Sequence, residues 1–85
     1  HYNQGLFKLT TTQYKKYGDY LASVATKQNN EHFAFAVSSD GYVATAINNN
    51  DFAAQLDAIK NCTAISQQGK CYLYAVNRQV IYKTK

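Results

Sequence analysis

The sequence predicts an α+β domain in the order helix, hairpin, helix, hairpin, with a four-stranded antiparallel sheet and both helices packed on one face of it. Three observations carry this expectation. Apolar residues recur at helical spacing in two stretches, they alternate with period two in the stretch that follows each, and clusters of Asn, Asp, Gly and Ser mark the changes of period.

The first helix starts at Thr10. Thr10-Thr11-Thr12-Gln13 matches a capping box, in which a Thr hydroxyl accepts from a backbone N–H three residues on and the Gln side chain reaches back. Tyr14, Tyr17, Leu21, Val24 and Ala25 then form an apolar stripe, and the helix is expected to end near Gln28, before Asn29-Asn30. From His32 the period is two, so Phe33, Phe35 and Val37 share one face, with Ala34, Ala36 and Ser38 on the other. Asp40-Gly41 reads as a two-residue hairpin turn that returns the chain as Tyr42 to Ile47 and sets Phe35 opposite Ala46 and Val37 opposite Ala44.

Asn48-Asn49-Asn50-Asp51 offers several N-caps for a second helix, with Phe52, Leu56, Ile59 and Cys62 on its apolar stripe and an end by about Ala64. Ser66-Gln67-Gln68-Gly69 reads as a loop. Cys71 to Val76 and Gln79 to Lys83 are rich in Tyr, Val and Ile and form the last hairpin around Asn77-Arg78. Phe33, Phe35, Val37, Leu56 and Ile59 are expected to share one core.

At 85 residues there is room for one domain, and a chain this small buries only about 60% of the surface it exposes when unfolded. Hydrophobic residues make up 46% and charged residues 16%, which excludes a disordered chain. Residues 10–85 are expected to form the domain and residues 1–9, which show no periodicity, an N-terminal arm that is either packed through Tyr2, Leu6 and Phe7 or frayed. The chain starts at His1 and contains no Met, as expected of a processed protein or an excised domain. No stretch approaches the roughly 20 apolar residues that span a bilayer, so no transmembrane segment is expected.

Many of the apolar residues are Ala or Tyr, so the core is thin and a staple is needed. Cys62 falls near the end of the second helix and Cys71 opens the third strand. A helix returning to a neighbouring strand through a short loop brings two Cα atoms within disulfide range, so Cys62 and Cys71 are expected to be bridged, and the protein to be secreted or periplasmic.

No catalytic or cofactor constellation stands out. Gly5, Gly18, Gly41 and Gly69 are isolated, which excludes the Gly-rich phosphate loops. Structural zinc usually takes four Cys or His ligands, whereas the chain offers the two cysteines, His1 and His32, so neither a metal nor a cofactor is expected. Asp40 and Asp51 are accounted for by turn and cap chemistry, leaving Asp19, Glu31 and Asp57 as acidic candidates beside His32. The net charge of +4 comes without any run of five basic residues, and a nucleic-acid partner is not expected. Asn61-Cys62-Thr63 matches a glycosylation sequon, which matters only in a eukaryotic secretory pathway.

The run from Ser39-Asp40-Gly41 through Ala53-Ala54, Ala58 and Cys62 to Cys71-Tyr72-Leu73-Tyr74-Ala75-Val76 resembles small disulfide-containing domains of unknown function in exported bacterial proteins. They share a hairpin, an Ala-rich helix ending in Cys and a Cys-initiated strand pair, over about residues 33 to 82 here. Family members are often richer in Trp and Gly. The resemblance implies export from a bacterium and a one-domain fold, and it transfers no catalytic residues.

The expected function is a non-enzymatic interaction module, an effector or accessory domain that binds another protein through Tyr72, Tyr74, Arg78 and Ile81. Strand alternation would set these on a sheet face away from the helices, which could also serve as a homodimer surface. Two alternatives stand beside it. One is a secreted inhibitor of a hydrolase that inserts the disulfide-tethered loop from Ser66 to Lys70, and the other a small hydrolase that uses His32.

Overall fold

The computed structural model describes residues 9–67 and 69–81. The expected N-terminal arm over residues 1–9 lies outside them up to residue 8, as does the part of the expected last strand from Tyr82 onwards. The elements are α1 (Thr11–Val24), β1 (His32–Ser38), β2 (Val43–Asn48), α2 (Asp51–Ile65), β3 (Cys71–Val76) and β4 (Gln79–Val80). The strands form one antiparallel sheet in the order β2-β1-β3-β4, and the helices pack on it, so the α+β class and the element order agree with the sequence.

The helix starts follow from side-chain chemistry. Thr10 caps α1 with a reciprocal box: its hydroxyl accepts from the Gln13 N–H at 3.1 Å, and its own N–H donates to the Gln13 amide oxygen at 3.0 Å. The Gln13 amide nitrogen donates to the Ser38 and Tyr42 carbonyls at 2.9 and 3.0 Å, so this buried side chain fastens the start of α1 to the first hairpin. Asn50 caps α2, its side chain accepting from the Ala53 N–H at 2.9 Å.

The helices lie on opposite faces of the sheet, which corrects the expectation of one shared face. Alternation in β1 decides this. Phe33, Phe35 and Val37 pack with Tyr20, Val24 and Ala75 on the α1 side, whereas Ala34 and Ala36 pack with Ala54, Ala58 and Cys62 of α2 on the other. Both sets are apolar, so β1 is buried on both sides from Phe33 to Ser38. The expected single core is thereby divided: Ile59 packs on the alanine side, and Leu56 is 48% exposed.

The two layers differ in thickness. On the α1 side, ring centroids of Tyr17 and Tyr20 lie 5.3 and 5.0 Å from that of Phe35, and Tyr17 meets Tyr74 edge-on at 5.4 Å. On the α2 side, Ala34, Ala36, Ala44 and Ala46 face Ala54 and Ala58, and small side chains let the helix backbone approach the sheet. The buried face of α2 is thus Ala54, Ala58 and Cys62, and that of α1 is Gln13, Tyr20 and Val24, with Tyr14 pointing to solvent.

The first hairpin differs from expectation by one residue. Gly41 donates to the Ser38 carbonyl at 3.3 Å and Ser38 donates to the Tyr42 carbonyl at 2.9 Å, enclosing a three-residue loop with Gly41 at φ 99°. This is the turn with a glycine bulge that such loops favour. The register therefore pairs Phe35 with Thr45 and Val37 with Val43, and sets alanine against alanine at Ala34–Ala46 and Ala36–Ala44. A one-residue slip in register exchanges the faces of a strand, and here it assembles the small-residue surface that α2 needs.

Removing the Phe35 ring should cost about 3–5 kcal/mol, and enlarging Ala58 to Leu about 1–3 kcal/mol by overpacking the thin layer. Leu56→Ala should change stability by less than about 0.5 kcal/mol, because that side chain is half exposed. Urea denaturation of the three variants checks this ranking.

Candidate partner-binding site

A helix with its side chains is about 10–12 Å wide, whereas four strands span roughly 19 Å. Each helix therefore covers only part of its face. On the α1 side an open groove of about 380 Å³ is left between Lys16, Asp19, Tyr20 and Ser23 of the helix and Val43, Thr45 and Ile47 of β2. On the α2 side a shallow depression lies between Asp51 and Gln55, at the start of the helix, and Val76, Arg78, Gln79 and Ile81 of the last hairpin.

The depression is shaped by Asn77. At φ 53° it takes the left-handed conformation that Asn tolerates, and it opens the two-residue turn Asn77-Arg78 between β3 and β4. Its N–H donates to the Phe33 carbonyl at 2.8 Å and its side-chain oxygen accepts from the Phe33 N–H at 2.9 Å. Both bonds pin the turn to β1. They set Arg78 at the exposed tip, while the Ile81 N–H donates to the Tyr74 carbonyl at 2.9 Å.

The four expected binding residues are split between the faces. Arg78 and Ile81 share the depression beside α2. Tyr74 turns the other way and packs on Tyr17 and Phe35, and Tyr72 pairs in register with Val37 on that same face. A bulge causes the difference: between Phe35–Ala75 and Ala36–Leu73 the register shifts, leaving Tyr74 as the extra residue of β3, so Tyr74 and Ala75 both meet the α1-side core. No sheet face lies clear of the helices, so the premise for grouping these four residues does not hold.

The sequence reading missed Phe52 and Leu56 as surface residues. Phe52 is 67% exposed, and at 100° per residue it lies about 60° around α2 from Gln55, with Leu56 one turn further on. The signal was available in the chain: Ala54, Ala58 and Cys62 form a second stripe at spacing four, and small residues suit a helix that lies against a sheet of alanines. Phe52 and Leu56 of the larger stripe then face outward.

Elsewhere, His32 Nδ1 lies 3.9 Å from the Asp51 carboxylate, beyond hydrogen-bond reach, with the His side chain 32% exposed. The structure thus gives His32 an acidic neighbour that the sequence reading had assigned to capping. Burial and the proximity of Tyr17 push the Tyr20 phenol above its ordinary range, and burial followed by Tyr74 does the same to Tyr17, so both rings stay neutral. Among the described residues no group of three or more His, Cys, Asp or Glu is placed to hold a metal ion.

Cys62 and Cys71 are joined, with Cα atoms 6.1 Å apart, tying the last turn of α2 to the first residue of β3. The loop they enclose is also held by Asp40. The Ser66 hydroxyl donates to one Asp40 oxygen at 2.9 Å and the Gln67 N–H to the other at 2.8 Å, while the Gly69 N–H donates to the Ser66 hydroxyl at 3.1 Å. Hydrogen bonding by the Ser38 hydroxyl, then by Ser66 and Gln67, holds the Asp40 carboxyl below its ordinary range. Comparison of the chain with protein-family models, curated proteins and solved structures found no match.

Reduction should raise the intact mass by two hydrogens and destabilise the domain by about 2.5–3 kcal/mol, the loop-closure value for a bridge of this span. Mass spectrometry and urea denaturation with and without reductant measure both. For Asp40, a lowered folded-state pKa means that the ionised carboxylate stabilises the fold above the ordinary carboxylate range. That contribution is lost as pH falls through the lowered value. Asp40→Asn should therefore be less stable than wild type near neutral pH, with the gap closing in acid, as read from unfolding midpoints across pH.

Proposed function

We propose that this chain is a non-enzymatic interaction module of an exported bacterial protein, binding a partner protein over the depression between α2 and the β3–β4 hairpin. The observation that carries this reading is the exposure of Phe52 and Leu56, two large apolar side chains four residues apart on α2, the helix whose Asp51 and Gln55 line the depression. Large apolar groups left exposed near polar ones mark contact sites. Arg78, Gln55 and Gln79 supply the rim. The formed disulfide fits an oxidising compartment, and the resemblance of the hairpin, Ala-rich helix and Cys-initiated strand pair supports the bacterial setting.

The secreted-inhibitor reading has one observation in its favour. The loop that begins at Ser66 is fixed twice, by the Cys62–Cys71 bridge and by the Asp40 carboxylate, and a pre-ordered loop loses less entropy on entering a cleft.

Phe52→Ser combined with Arg78→Ala should keep the wild-type circular dichroism spectrum and weaken partner binding by at least about 1 kcal/mol. Immobilised wild type and variant, exposed to the same periplasmic or secreted fraction, give the comparison. Recovery of the same proteins in the same amounts by both would remove this surface from consideration, and retained inhibition of a hydrolase by the double variant would favour the loop instead.

A further inference from the structure

We propose that the chain forms a symmetric dimer in which the free edge of β2 pairs, antiparallel, with the same edge of a second copy, with Thr45 on the two-fold axis. The register sets the outward groups. Because Ser38 donates to Tyr42, the inward hydrogen-bonded positions of β2 are Tyr42, Ala44 and Ala46, and the backbone N–H and C=O of Val43, Thr45 and Ile47 point away from β1. Among the described residues no strand pairs with that side. The Asn61 amide reaches the Thr45 carbonyl only at 3.5 Å, and a carbonyl oxygen has a second lone pair to offer.

The edge lacks the usual protections. Its sequence, VATAIN, holds no charge and no Pro, and its pairing with β1 carries no bulge, whereas exposed edges in monomers are usually blunted by one of these. Ile47, 56% exposed, stands on the α1 face and lines the open groove. A two-fold through Thr45 would pair Val43 with Ile47 of the second copy and Thr45 with its own counterpart, both on that face, and Ala44 with Ala46 on the other. Each β-branched residue then meets a β-branched neighbour, the pairing that strands favour.

Charge argues for a second copy as the occupant. Lys16 and Asp19 both line the groove above β2. Tyr17 and Tyr20 flank the Phe35 ring, and Phe35 is the register partner of Thr45, so this stretch of α1 stands level with the two-fold axis. Rotation about that axis brings Lys16 of each copy to the side of Asp19 of the other, twice. A chain with net charge +4 would otherwise repel its copy, and these crossed pairs make the contact locally neutral.

The full chain, examined by sedimentation over a concentration series, should shift from 9.6 kDa to twice that mass. In the same series the Val43, Thr45 and Ile47 amides should gain protection from hydrogen exchange, while those of Ala44 and Ala46 stay protected throughout. Thr45→Lys, which changes an exposed side chain and sets two like charges across the axis, should weaken the dimer about tenfold or more. Lys16→Glu and Asp19→Lys should each weaken it about threefold or more, and the double exchange should restore it. If Thr45→Lys disturbs the fold, the exchange of charges on α1 still decides. A chain that stays monomeric to about 1 mM, or a dimer indifferent to Thr45→Lys and to the charge exchange, overturns the proposal.

Discussion

Side-chain size along β1 sets the architecture. From Phe33 to Ser38 every residue is buried, yet one face carries Phe33, Phe35 and Val37 and the other Ala34, Ala36 and Ser38. A strand with two apolar faces needs a covering layer on each, as central strands of layered sheets do. The large face holds α1 away from the sheet by a thickness of aromatic rings, and the small face draws α2 close. The remaining elements adjust to that difference: Ala44 and Ala46 on β2 extend the small face, Ala75 and the bulged Tyr74 complete the large one, and Gln13 fastens α1 where its rings meet the hairpin.

Partial coverage follows from width alone. One helix per face cannot span four strands, and the two helices leave different parts bare: β2 on the aromatic side, the β3–β4 hairpin on the alanine side. Ile47 lines the first of these places, and Phe52 and Leu56 stand exposed on the outer side of α2. The domain thus presents two surfaces that do not share residues, each built from one helix flank and one edge of the sheet.

Much of the secondary structure was legible in the chain. The capping box at Thr10, the strand from His32, the polar break before α2 and the pairing of Cys62 with Cys71 rest on local chemistry, and each is present. What was not legible depended on events between elements. Phe-Ala-Phe-Ala alternation does not by itself tell whether both faces are covered, because Ala is compatible with either environment, and only the facing Ala54 and Ala58 show that it is core. The glycine of the first turn was recognised, but whether two or three residues lie in the loop was decided by Ser38 and Tyr42, and that one residue reassigned the partners along β2. The bulge at Tyr74 left no mark in the periodicity of β3, and so the proposed grouping of Tyr72 and Tyr74 with Arg78 was misdirected. On α2 the spacing of Phe52, Leu56 and Ile59 predicts the buried face, as large residues do on most helices, whereas against a sheet of alanines it is Ala54 and Ala58 that are buried.

The covalent bridge also divides the molecule. Cys62–Cys71 lies wholly within the α2 layer, where it joins helix to sheet. The first helix has no such tie among the described residues. It is retained by the Gln13 amide, the tyrosine rings and Val24. Local opening in folded proteins proceeds through the least secured cooperative unit, and here that unit is α1. Its departure would leave a stapled remainder, α2 with its four strands, that still holds its backbone pairing. Such an opened state would display Phe33, Phe35 and Val37 in a row, a naked aromatic sheet surface open to proteases and to self-association.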